Sequence, residues 1–397
     1  MTVLETKRIA IMTPAFGFHG GLTSVAAFLF KAIREYSVHD ATVVSVSTSR
    51  YDRASRRAMD PFSWGTAPTV EEGLYDGVRF SHVGAALAEL EPARYWPHRT
   101  LSTILAKSDV VLVVSGTPVW AYLAKDCGRP IILQSASFAA REREQRIQSS
   151  TGLASIWNRG MTRVVSRMEP IALRLASKVF VENRYAEERI AAIVGPSRVA
   201  RAPVGVDVTA FCPAGNYSAD GYLFVVGRMN DPRKNAGFLL RSYARLRAAM
   251  PSAPPLVIAG EAPNLMVKQT VAEHRLDGHV RFVHNPTRDQ LIGLYQKAAL
   301  LLLPSAEEGF GIVAVEAMAC GIPVVATKCT GPEEIIDEDE TGHLVALDED
   351  LFAAKIEAAL RDPSKRRAMA RAARSVAVER YSICAASKPY VAALSEL

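Results

Sequence analysis

Short, unbroken apolar runs recur from one end of this chain to the other. In the first half they fall at 9–12, 42–46, 110–114, 131–133 and 179–181. In the second half they fall at 223–226, 256–259, 280–283, 300–303 and 323–326. A strand with one wet face alternates apolar and polar residues, whereas a strand covered on both faces reads as a continuous apolar run. Stretches of helical period, such as 235–247 and 351–361, separate the runs. Strand and helix alternating throughout is the pattern of the α/β class, with parallel sheets sandwiched between helices.

At 397 residues the chain is long for one such sheet and suits two. The stretch 205–221 collects turn formers: Gly205, Pro213, Gly215, Asn216, Ser218, Asp220 and Gly221. The expected division is therefore 1–207, then 208–378, with 379–397 a terminal segment packing back on the first domain. Ligands of doubly wound sheets bind outside the carboxyl ends of the strands, so two facing domains imply a site in a cleft.

Lys and Arg total 47 against 41 for Asp and Glu, an excess too mild to argue for nucleic acid. The cysteines, Cys127, Cys212, Cys320, Cys329 and Cys384, form no CxxC pair and are odd in number, so neither a disulfide framework nor a zinc site is suggested. No apolar stretch approaches the roughly 18 residues of a membrane span, and the N-terminus lacks the pattern of a signal peptide. The expectation is a cytoplasmic protein, with at most peripheral contact at the inner membrane face.

Three loops carry the chemistry. The segment 304–326, PSAEEGFGIVAVEAMACGIPVVA, reads strand end, glycine-containing loop, helix, glycine stop and strand. Gly309 and Gly311 permit backbone angles and close ligand approach that other residues resist. The amides of Gly311, Ile312 and Val313 would open a helix, a ready place for an anion. Glu308 and Glu316 are eight positions apart, roughly 12 Å along the axis if both were on one helix; with Glu308 on the loop and Glu316 inside the helix, they could hold opposite ends of one extended ligand.

In the second loop, 222–235 (YLFVVGRMNDPRKN), Arg228 and Lys234 sit between a strand and a helix. A planar guanidinium fork and a point charge converging there suit a diphosphate. Arg233 is expected to face solvent. The third loop, PAFGFHGG at 14–21, follows the first strand, and its Gly20–Gly21 turn lets main-chain amides approach a phosphate or a sugar; His19 is a candidate on the acceptor side.

EGFGIVAVE with the GR-x5-K loop resembles the retaining glycosyltransferases of the GT-B fold, family 4, with its E-x7-E motif. The segments PVGVD at 203–207, GPEEI at 331–335 and GHLV at 342–345 resemble the family's linker and C-terminal continuation. The resemblance is close over 203–345 and loose before it. It implies two doubly wound Rossmann-like domains facing across a cleft, with the acceptor on the first and a nucleotide-diphosphate sugar on the second. It further implies Arg228 and Lys234 on the leaving diphosphate, Glu308 on the sugar hydroxyls, Glu316 on the ribose hydroxyls and Phe310 to Val313 along the donor. No metal or further cofactor is implied. The donor expected first is a UDP-hexose and second GDP-mannose; the acceptor is a sugar, a lipid-linked glycan or a small metabolite. Rival readings are another GT-B enzyme, such as a phosphorylase or an epimerase, and a non-catalytic basic binding protein.

One departure matters. Many members carry a histidine after the strand at 131–133, where this chain has Gln134-Ser135. Either of these substitutes by hydrogen bonding, or the acceptor is held differently. Lastly, Arg159, Arg163 and Arg167 share a helical face beside an apolar stripe of Trp157, Met161, Val164, Val165 and Met168. That pattern fits either a helix packed on its own domain or a surface for an anionic membrane or an anionic acceptor. Pro170 is expected to end or kink the helix.

Overall fold

The computed structural model describes residues 5–17, 20–49, 51–57, 63, 65–215, 217 and 219–396. The chain divides into two compact units, residues 1–205 with 386–397, and residues 206–385. The first boundary lies two residues before the one expected from sequence, and the chain returns to the first unit at 386 rather than 379.

The first unit is built on strands β1 (Arg8–Pro14), β2 (Asp40–Val46), β3 (Val70–Tyr75), β4 (Val78–Val83), β5 (Val110–Ser115), β6 (Ile131–Ser135), β7 (Ala176–Val181) and β8 (Val199–Arg201). They form one sheet in the order β3-β4-β2-β1-β5-β6-β7-β8, parallel except for β3 against β4. Every residue of β5 is buried, which is why its run carries no polar alternation. The β3–β4 hairpin has no counterpart in the sequence reading. Its two-residue turn, Asp76-Gly77, has φ of 47° and 78°, the mirror-image turn that suits the twist of paired strands. Glu71 and Glu72 lie exposed on this sheet edge, so the apolar signal is absent.

The second unit holds β9 (Tyr222–Gly227), β10 (Leu256–Gly260), β11 (Val280–His284), β12 (Ala298–Leu303), β13 (Val324–Thr327) and β14 (Gly342–Val345). All are parallel, in the order β11-β10-β9-β12-β13-β14. One core side gathers Leu223, Val225, Leu239, Tyr243, Ile258, Leu300, Leu302 and Phe352.

The helix Ile383–Ser395 returns the chain to the first unit. Tyr390 is buried there between the rings of Phe28 and Phe180, at centroid distances of 5.8 and 4.6 Å. The helix Gly152–Leu175 does not end at Pro170 but continues to Leu175, and its apolar stripe is split, with Val165 buried but Trp157 and Val164 exposed.

Candidate functional site

In the second unit the chain runs outward from β9 through β10 to β11, then crosses back to place β12 on the other side of β9. Such a reversal opens a crevice at the carboxyl ends of the two central strands. The loop after β9 carries Arg228 and Lys234, and the loop after β12 carries Glu308. The sheet thus brings together groups 74 residues apart.

Lys234 Nζ donates to Glu308 Oε2, which also accepts from Ser305 Oγ at 3.2 Å. A second chain of charges runs beside this pair. Arg228 lies 3.5 Å from Asp231, Asp231 is 2.8 Å from Arg233, and Arg233 is 3.6 Å from the buried Glu307. Arg233 therefore does not face solvent. It clamps the two loops, and Ala306 N–H donates to its carbonyl at 2.8 Å. Burial pushes the Asp231 carboxyl up, but hydrogen bonds and charge from Arg233, with the charge of Arg228, outweigh it and hold the group below the ordinary carboxylate range. More than half of the Arg228 side chain stays exposed, so this cation keeps donors for a ligand.

The helix Ile312–Ala319 begins where Gly311 takes φ 97° and ψ 46°, a left-handed conformation costly to any residue with a Cβ. Ala314 N–H closes the first turn onto the Gly311 carbonyl. The amides of Gly311, Ile312 and Val313 come before that bond and are left for an outside acceptor. The Phe310 ring is buried against Tyr381 at 6.0 Å, which leaves its main chain at the loop. Gly331 packs onto that main chain, where a Cβ would come within 2.2 Å of the Phe310 carbonyl oxygen.

Glu316, one turn into the helix, is buried and accepts from the Tyr295 hydroxyl at 2.7 Å. Burial dominates and pushes its carboxyl up to about 7, against the lowering effects of Tyr295 and Arg288. Its Oε1 carries no hydrogen bond among the described residues. Glu308 and Glu316 thus differ sharply: one is ion-paired at the loop, the other is desolvated with its titration raised.

In the first unit Gly20 precedes the helix Gly21–Tyr36, and a Cβ on Gly20 or Gly21 would meet nothing within 4 Å, so the space over both is open. His19 lies outside the described residues. Both residues at the place of the family histidine are buried and hydrogen-bonded within the protein. Gln134 is fully buried, donating to Glu182 at 3.0 Å and accepting from Tyr390 at 3.0 Å. Ser135 is equally buried, against the carbonyls of Gly116 and Ser137. At the carboxyl end of β2 and β4, Arg53, Arg56 and Arg57 line a concavity of about 280 Å³ with Ser63, Thr66 and Thr69. None of these three arginines is paired with a carboxylate among the described residues. Among the described residues the one cluster with metal-ligand spacing, Glu338, Asp339 and His343 in the second unit, already pairs with Lys355 at 3.6 Å and Lys365 at 2.8 Å.

The family model "Glycosyl transferases group 1" matches residues 213–376, the span that holds all of the second unit's site residues. This stretch is similar to the glycosyl transferases group 1 family. Over 204 residues the chain is 33% identical to a D-inositol 3-phosphate glycosyltransferase of Salinispora tropica, covering 45% of this chain and 42% of the relative. Over 225 residues it is 30% identical to a GDP-mannose-dependent alpha-(1-6)-phosphatidylinositol monomannoside mannosyltransferase of Mycolicibacterium smegmatis, covering 52% and 59%. The chain therefore spans about half the length of these curated relatives. In fold it is similar to the sucrose-phosphate synthase of Thermosynechococcus elongatus, at TM-score 0.74 and 20% identity over 98% of both chains. It is also similar to Anabaena HepE in complex with UDP-glucose, at TM-score 0.70 and 17% identity over 98% of this chain and 100% of that one.

Within the matched stretch, sequence reasoning missed Tyr295, Ser305 and Asp231, the residues that hold Glu316, Glu308 and Arg228. Tyr295 has no signal in the string, since it lies 21 positions before its partner on another helix. Asp231, three positions from Arg228 in the same loop, was within reach of a charge-pairing argument.

Proposed function

We propose that the protein is a retaining glycosyltransferase that moves a hexose-type sugar from a nucleotide-diphosphate donor to a hydroxyl acceptor. The observation that carries this reading is the meeting of Lys234 and Glu308 at the switch point, next to the unused amides of residues 311–313. Breaking the sugar–phosphate bond leaves positive charge at the anomeric carbon and sends the electron pair to the diphosphate. Groups that favour this separated state over the ground state lower the barrier. Arg228 and Lys234, with the helix amides, neutralise the departing diphosphate without a metal ion. When donor enters, Lys234 exchanges Glu308 for phosphate oxygens, and Glu308 turns to the sugar hydroxyls. Glu316 Oε1 takes the ribose hydroxyls. The acceptor oxygen attacks from the face the phosphate leaves, and its proton passes to the departing phosphate oxygen, which preserves configuration.

A UDP-sugar is the first donor and GDP-mannose the second. The fold likeness to a protein solved with UDP-glucose supports the former, and the mannosyltransferase relative supports the latter. The concavity of Arg53, Arg56 and Arg57 favours an acceptor that bears a phosphate, in keeping with the inositol phosphate named for one relative.

The test is a thermal-shift screen against UDP-, GDP- and ADP-sugars, followed by a product assay. Lys234→Ala and Arg228→Ala should each lower turnover at least a hundredfold while the fold persists, and activity should survive EDTA. Near-normal rates in either variant remove the leaving-group argument. Binding without any transfer or donor hydrolysis favours the non-catalytic reading instead.

A further inference from the structure

The helix Gly152–Leu175 turns Thr162, Val165, Glu169, Ala172 and Leu173 inward. The opposite side is not the polar face of an ordinary surface helix. Leu153 is 85% exposed, Ile156 69%, Trp157 59%, Ile171 50% and Val164 37%. At the helical period of 3.6 residues, Leu153, Trp157, Val164 and Ile171 fall on one narrow ridge. Arg159, Arg163, Arg167 and Arg174, all exposed, run along one flank of that ridge. None of these arginines meets a carboxylate among the described residues. The helix's one acidic residue, Glu169, is buried and accepts from Ala139 N–H at 2.8 Å.

We infer that this helix lies flat on an anionic lipid surface, with Leu153, Ile156, Trp157, Val164 and Ile171 entering the acyl boundary and the arginines bound to headgroup phosphates. A soluble surface scatters its exposed apolar residues singly, and a contiguous apolar ridge marks a binding face. Charge selects the occupant. A second copy docking through the same face would bring two sets of unpaired arginines together, which is unfavourable, whereas anionic headgroups neutralise them. The apolar ridge argues against nucleic acid, which offers no apolar depth to five such side chains. The combination of a long helix, a basic flank and Trp and Leu on the other side is that of an interfacial helix. No helix among the described residues is long and apolar enough to cross a membrane, so the helix lies on the surface rather than spanning it.

The test is co-sedimentation of the full chain with vesicles of equimolar phosphatidylglycerol and phosphatidylcholine, against vesicles of phosphatidylcholine alone. It contains no sugar donor, so its outcome is separate from that of the transfer reaction. The protein should pellet with the anionic vesicles and shift its tryptophan emission to the blue, and Trp157→Phe should abolish the shift. Arg163→Glu with Arg167→Glu should weaken binding at least tenfold. Leu153→Ser with Ile156→Ser should do the same and should leave a binding residue that high salt removes. Unchanged far-ultraviolet circular dichroism and urea unfolding midpoints in both double variants show that they fold. Absence of vesicle binding overturns the inference, as does binding that neither double variant alters. Pelleting without an emission shift overturns the inserted geometry, and self-association relieved by Leu153→Ser without vesicle binding assigns the ridge to a second copy.

Discussion

Replacing Glu316 with glutamine should stabilise the second unit at alkaline pH while weakening nucleotide binding. The carboxyl is buried, and its titration is raised from the ordinary 4.5 to about 7, chiefly by loss of hydration. Below pH 4.5 both folded and unfolded chains hold the proton, and the group costs nothing. Between 4.5 and about 7 the unfolded chain releases it while the folded chain retains it, so stability falls as pH rises. Above about 7 both are ionised and the folded chain bears the whole penalty. An interval of about 2.5 pH units at about 1.4 kcal/mol each amounts to about 3 kcal/mol. Glutamine keeps the shape, stays neutral, and can still accept from Tyr295 through its carbonyl. Urea unfolding of wild type and Glu316→Gln should thus agree near pH 4.5 and diverge by about 3 kcal/mol in the variant's favour near pH 8.5. Glu169, raised to about 7 by its own burial, adds a similar slope to both proteins and cancels in the difference. In the same variant UDP affinity should fall tenfold to a hundredfold, because an ionised acceptor of hydroxyl protons is worth about 1.5–3 kcal/mol. A stability difference that does not change with pH would refute the desolvation argument, and unchanged UDP affinity would remove Glu316 from the ribose.

Two further outcomes follow from the same contacts. UDP affinity in the wild type should rise as pH passes through about 7, because only ionised Glu316 accepts from both ribose hydroxyls and Tyr295. Tyr295→Phe removes a bond that favours the ionised form, so calorimetric titration should show that rise displaced to higher pH; an identical profile counts against the Tyr295–Glu316 coupling. Tyr390→Phe leaves the buried Gln134 carbonyl oxygen without its donor and should cost about 1–3 kcal/mol in urea unfolding, with UDP binding unaltered.

The sheets were legible because every strand covered on both faces must be apolar along its length; β12, buried at all six positions, is plain in the string. The hairpin of β3 and β4 was not, since an edge strand tolerates Glu71 and Glu72, and only Asp76-Gly77 announced the turn. The loops that carry the site were equally legible, because a glycine at a strand end and a helix start leave a local trace. What the residues do within those loops was less so. Arg233 was misjudged because its pairing with Glu307 depends on a segment 74 residues away. Gln134 looked like a spare hydrogen-bonding group until the terminal helix brought Tyr390 onto it.

By itself the sequence determined the alternation of strand and helix, the break near residue 205, and which side chains stand at the strand ends. Those features are encoded within a few neighbouring residues, through periodicity and the backbone freedom of glycine. The tertiary structure alone decided that Glu308 is salt-bridged and Glu316 desolvated, although they are the same group eight positions apart. It also decided that the apolar side of the helix Gly152–Leu175 is split between core and solvent. Hydration and ion pairing depend on atoms supplied from distant parts of the chain, and no local pattern records which of them will arrive.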